Sequence, residues 1–272
     1  MLLPLLSLAL AGMPPGVDLE AVDRWDGLAE QLIDGPRGCW EVVGRASWSW
    51  DLGRFGGNRG DAAFAGRLVD GEWSEIHLAP MGEIQRARRQ AEIRVYAEEA
   101  RFAPLFGRIH GARVTVASDT QQVEVDPTEQ AEASNVLRRV LDRLGGSAIT
   151  SWAQWDDVRT GVVLHRMIPL GDHGSDEVHV EVFFPGGQEL PTSIDASFPP
   201  HFRAGRWPRR FRIRGAEVHL RGAVAGQQVF PASEAYRFDF GMFGWWGSGA
   251  QTIAYEHIQP CPPSSPQPPT PG

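Results

Sequence analysis

Apolar positions recur at two different periods along this chain, and the change of period marks its elements. Over residues 18–33, Leu19, Val22, Trp25, Leu28 and Leu32 return every three or four positions, which is one face of an α-helix. Asp18 supplies a start cap, and Gly35-Pro36 stop the pattern. From Cys39 to Leu52 the period falls to two. Trp40, Val42, Gly44, Ala46, Trp48, Trp50 and Leu52 alternate with the mostly polar Glu41, Arg45, Ser47, Ser49 and Asp51. That run predicts one strand of about 45 Å, longer than most and suited to a curved sheet or barrel, with Trp48 and Trp50 on one face.

Further strands follow from the same alternation. A glycine-rich loop over 53–60 leads to Phe64–Val69, an Asp70-Gly71 turn and Trp73–Leu78. Residues 81–91 read as a short helix, and Ile93, Val95 and Ala97 alternate once more. Arg113–Ala117 and Gln122–Asp126 flank a tight hairpin turn at Ser118-Asp119-Thr120. Asp126-Pro127 then opens a second main helix with the apolar face Val136, Leu137, Val140, Leu141 and Leu144, stopped by Gly145-Gly146. The last third reads as strands at 161–168, 176–184, about 209–224, 234–243 and 251–258. Pro185-Gly186-Gly187 forms one of the turns.

The predicted fold class is therefore mainly β (α+β): a strongly curved antiparallel sheet or open barrel with two or three helices packed on it. The order helix, long strands, helix, strands is similar to the periplasmic lipoprotein-carrier fold, an incomplete barrel with helices over its mouth. The resemblance is one of element order. No motif of that family occurs in the chain, so it transfers no site residue. Phe64-Ala65-Gly66-Arg67 and Phe202…Gly205-Arg206-Trp207 are too short a likeness to make the two halves a repeat.

The cysteines and termini set the organisation and the compartment. Residues 2–10 are a short apolar run, and Ala9-Leu10-Ala11 fits a signal-peptidase site, although Arg24 is the first basic residue. The expected plan is a signal peptide over 1–11, a single mainly-β domain over 17–261 closed by a disulfide, and a disordered proline-rich tail over 262–272. Met13 stands where a lipidated cysteine would be, so no lipid anchor is expected. An exported chain with two cysteines most simply pairs them, Cys39 with Cys261. The bond would close a loop of about 220 residues and contribute at most on the order of 5 kcal/mol. The expected location is the periplasm or outside the cell.

Composition removes several function classes. All 26 basic residues are arginine, which rules out a Schiff-base lysine, a P-loop lysine and a lysine general base. A formal charge of −8 argues against nucleic acid as partner. No apolar run is long enough to span a bilayer. The nucleophile-elbow, dinucleotide, zincin and EF-hand patterns are all missing, and no cofactor is expected.

Three clusters carry candidate chemistry. In Phe238–Gly249, glycines punctuate Met242, Phe243, Trp245 and Trp246, a surface for a lipid-like ligand or for peripheral contact with a membrane. Buried aromatics on a bulged strand are the plainer reading. Arg203, Arg206, Arg209, Arg210, Arg212 and Arg214 lie in twelve residues, and Arg210, Arg212 and Arg214 share one face of a regular strand. Guanidinium groups there suit an anionic head group. Asp172, His173, Asp176, Glu177, His179 and Glu181 form an acidic-histidine cluster, with His165 beside His179 if the two strands form a hairpin. Zinc or a hard metal is conceivable there, but the spacing fits no metal motif, so no metal ligand is assigned. Arg59-Gly60-Asp61 is a three-residue match to the integrin-binding tripeptide in a predicted loop, expected by chance.

The functional expectation is an exported non-catalytic carrier holding an apolar or amphipathic, lipid-like small molecule. Its ligand-binding residues would be Met242, Phe243, Trp245, Trp246, Arg210, Arg212 and Arg214. The alternatives are a secreted hydrolase with a dispersed site around His165 or His179, and a structural or adhesion module.

Overall fold

The computed structural model describes residues 36–51, 57–81, 104–107, 112–117, 122–125, 150–169, 177–188, 190–200, 211–242 and 245–262. They form twelve strands: β1 Cys39–Asp51, β2 Gly57–Val69, β3 Glu72–Met81, β4 Arg113–Ala117, β5 Gln122–Val125, β6 Thr150–Asp156, β7 Gly161–Pro169, β8 Glu177–Pro185, β9 Ser193–Ser197, β10 Phe211–Ala225, β11 Gln228–Met242 and β12 Trp245–Pro260. All twelve belong to one sheet in the order β5-β4-β3-β2-β1-β12-β11-β10-β9-β8-β7-β6. The sheet is not closed: β5 and β6 are its edges. No helix occurs among the described residues, and the helices expected over 18–33 and 127–144 and in the rest of 81–91 lie outside them. Met81 itself ends β3.

The chain lays down the sheet from its middle. It runs outward from β1 to β5, reappears at the opposite edge as β6, and steps back inward to β12, which pairs with β1. Every described pairing is antiparallel except β3 with β4, which is parallel. A parallel neighbour needs a long crossover instead of a hairpin, and residues 82–112 separate the two strands.

Alternation puts one face of this sheet in the core. Following the register from β2 to β6, Ala62, Ala46, Ile253, Glu234, Leu220, Ile194, Val182, Leu164 and Ala153 stand side by side, and all are buried. Glu234 is the one charge in that row. The opposite face is polar, with Arg45 against Glu256 at 2.8 Å and Arg67 against Glu75 at 3.4 Å.

Four bulges reset the alternation. Ser74, Arg214, Ala232 and Glu256 are the extra residues where β3, β10, β11 and β12 slip against their partners. A bulge bends its strand and re-aims the side chains beyond it. Ala232 matters most: Val229 and Pro231 are buried before it, Glu234 and Tyr236 after it. Arg214, the extra residue of its bulge, is exposed on the polar face against Trp246.

The disulfide forms between Cys39 and Cys261, with Cα atoms 5.4 Å apart. It sits at one end of the β1–β12 pair, where the Cys261 N–H also donates to the Cys39 carbonyl at 3.0 Å. That pair is the seam between the two strand runs, so the bond fastens the first strand to the last. The Asp70-Gly71 turn forms as expected, both residues having positive φ (49° and 84°), the twist that a two-residue hairpin requires.

Candidate functional site

The apolar face has two unlike ends. Toward the disulfide, residues 104–107 lie across it. Leu105 and Phe106 are fully buried, and Trp73 donates its indole N–H to the Phe106 carbonyl at 2.8 Å. Phe106 meets Tyr255 edge-on at 5.7 Å, and Tyr255 meets Phe64 at 5.8 Å. Glu234 anchors this segment. The Leu105 amide donates to both carboxylate oxygens at 2.9 Å, and the Phe106 amide donates to Oε2 at 3.0 Å. Burial pushes the Tyr255 hydroxyl well above the usual tyrosine range, and the neighbouring Glu234 charge pushes it further. One step along the face, the Tyr236 hydroxyl donates to Gln251 Oε1 at 2.5 Å.

The other end carries the glycine–aromatic segment. Phe238 and Phe240 are partly buried against the core, their rings 5.9 Å apart. Phe240 pairs with Gly247, and Gly241 pairs with Trp246. Each aromatic ring covers the glycine opposite: a Cβ on Gly247 would come within 2.7 Å of Phe240, and one on Gly241 within 2.4 Å of Trp246. Met242 and Trp245 are the last register pair at this end of β11 and β12. Trp246 lies on the polar face, 47% exposed, with the Arg214 guanidinium 3.2 Å from its ring centroid. Arg212 is opposite Gly241 in the register. The structure thus brings Arg214 onto Trp246 and sets Arg212, Met242 and Trp245 at the same end of the sheet. Arg210 and Phe243 lie outside the described residues.

On the polar face of β7 and β8 the expected hairpin exists. His165 pairs with Glu181, and Met167 with His179. His165 Nδ1 is 3.1 Å from His179 Nε2 and 3.6 Å from Glu181 Oε1. Trp152 of β6 stacks on His165, with centroids 4.9 Å apart and planes within 10°. Burial lowers the His165 pKa, against the Glu181 charge, which raises it. Asp172, His173 and Asp176 lie outside the described residues.

Arg59-Gly60-Asp61 is not in a loop. It lies within β2, where Gly60 faces Trp48 and the flanking Arg59 and Asp61 are exposed on the polar face. With Ser47, Ser49, Ala250 and Thr252 they line an open groove of about 320 Å³.

The polar groups on the apolar face were missed in the sequence: Glu234, Tyr236, Gln251 and Tyr255. A signal existed, since Glu234, Tyr236, Phe238 and Phe240 alternate with Ala235, Arg237 and Asp239, which sets a carboxylate on an aromatic stripe.

No protein-family model matches the chain, and no curated protein matches it. Two solved structures have weak overall similarity. A LolA superfamily protein from Nitrosomonas europaea aligns with a TM-score of 0.31 and 8% identity, over 91% of this chain and 94% of that one. A lipovitellin, from a structure of lipid–protein interactions, aligns with a TM-score of 0.31 and 11% identity, over 85% of this chain and 26% of that one. At that TM-score neither likeness bears on function.

Proposed function

We propose that this protein is an exported, non-catalytic carrier that holds an amphipathic, lipid-like molecule against the apolar face of its sheet. The observation behind this reading is the asymmetry of that face. A disulfide, an aromatic cluster and the Glu234-anchored segment fill one end, while the other presents Phe238, Phe240 and Gly247. An acyl chain would lie beside Phe240, Met242, Phe243 and Trp245 on the apolar side, and its anionic head would turn over the rim of the sheet to meet Arg210, Arg212 and Arg214. Aromatic surface suits the apolar body, and planar guanidinium groups suit a carboxylate or phosphate. The disulfide, with the signal peptide expected from the sequence over 1–11, fits a periplasmic or secreted protein. Trp246 stands on the polar side of the same rim, where it suits contact with the membrane that supplies the ligand. No helix among the described residues is long and apolar enough to cross a membrane.

Native mass spectrometry of the full chain, purified without detergent from a cell envelope fraction, tests this. A co-purified lipid at up to one per chain supports the reading. A bare polypeptide mass that stays bare after incubation with phospholipid vesicles opposes it.

A further inference from the structure

We propose that His165, His179 and Glu181 form a binding site for a first-row divalent transition metal, with Zn²⁺ the best chemical match, on the polar face of β7 and β8. This site is on the side of the sheet opposite the proposed lipid surface.

Zinc bound by imidazole or carboxylate at about 2.0–2.1 Å keeps its tetrahedral ligand atoms about 3.3 Å apart. His165 Nδ1 is 3.1 Å from His179 Nε2 and 3.6 Å from Glu181 Oε1. One donor atom from each of the three residues lies within 4.8 Å of the other two. Three donors therefore surround a space of the right size, and small rotations of the rings would aim them at one ion. Two imidazoles favour zinc, copper or nickel over calcium or magnesium.

The surroundings support the same assignment. The two oxygens of Glu181 have separate partners: Oε1 faces His165, and Oε2 faces Arg159 at 3.9 Å. Arg159 is itself held by Asp156 and by the ring of Phe183, 5.0 Å from its guanidinium carbon. A carboxylate oriented by a second group is the usual support of a metal ligand. Trp152 stacks on the His165 ring and covers one of its faces. The His165 side chain is only 14% exposed, so a bound ion would sit beside a largely buried ligand. Three protein donors leave a tetrahedral ion one position for water or an anion.

The test uses tag-free, metal-stripped full-length protein. Calorimetric titration with Zn²⁺ should show one saturable site per chain. Co²⁺ in its place should give the strong visible absorption of a four-coordinate ion with nitrogen and oxygen donors. His165→Ala and Glu181→Gln should each weaken Zn²⁺ binding by at least about tenfold, and Arg159→Ala by about tenfold or more through the orientation of Glu181. His219→Ala, at another polar-face histidine, should leave binding unchanged. Circular dichroism melts confirm that the variants fold. If His165→Ala does not fold, His179→Asn carries the comparison. Absence of saturable binding by the parent up to millimolar Zn²⁺, or unchanged binding in folded His165→Ala or His179→Asn, overturns the proposal.

Discussion

The indole of Trp48 lies across Gly60, its register partner in the neighbouring strand, so closely that a Cβ at position 60 would come 2.2 Å from the Cζ2 atom. The same arrangement recurs at Gly44 under Phe64. Glycine weakens an isolated strand, but here its missing side chain is the space a large ring fills. Gly60→Ala should therefore destabilise the protein by about 1–3 kcal/mol by overpacking. Urea denaturation measures it; no change in midpoint would mean the ring moves aside freely.

Glu234 should fasten residues 104–107 to the sheet. Glu234→Ala removes the acceptor for the Leu105 and Phe106 amides and leaves both donors buried, a loss on the order of 3 kcal/mol. The expected signature is local as well as global. Amide exchange at Leu105 and Phe106 should speed up far more than at Ile253 in β12, the register neighbour of Glu234. Equal acceleration at all three sites would contradict a local anchor.

Tyr255 predicts an alkaline limit. Its folded pKa is raised above the unfolded value of about 10, so the folded state keeps a proton that the unfolded state releases. Stability from this group is complete below pH about 10 and falls as pH rises toward the folded pKa. Tyr255→Phe should remove that dependence and move the alkaline unfolding midpoint to higher pH. A midpoint unmoved by the substitution would show that other groups set the limit.

The disulfide fastens the seam between β1 and β12. Replacing both Cys39 and Cys261 with Ser should lower stability by up to about 5 kcal/mol, the chain-entropy figure for so long a loop. A melting temperature equal to that of the parent would mean that strand pairing alone holds the seam.

Much of this fold is legible in the sequence where a strand follows strict alternation. The β1 strand runs to Asp51 as its pattern predicts, with Val42, Ala46 and Trp48 buried and Val43 41% exposed, while the Trp50 side chain lies outside what the structure describes. The β7–β8 hairpin follows from the same pattern and brings His165 to His179. Glycine obscured the rest. Residues 57–60 read as a loop and 245–250 fell outside the expected strands because glycine disfavours strands, yet both are paired, with Trp48 and Phe240 covering Gly60 and Gly247. The short strands β6 and β9 escaped for another reason. Ser193–Ser197 has too few residues to show a period and is held by neighbours on both sides. The bulges are set by pairing between strands, so no pattern along a single strand announces that Ala232 turns Glu234 inward.

The central claim, that the glycine–aromatic end of the apolar face holds an amphipathic ligand, is tested most directly by titrating a fluorescent fatty acyl probe into the full-length protein. The account predicts saturable binding by the parent. It also predicts that Phe240→Ala combined with Trp245→Ala weakens binding at least about tenfold in a protein that still melts cooperatively. No saturable binding by the parent, or equal affinity in the folded double variant, would contradict it.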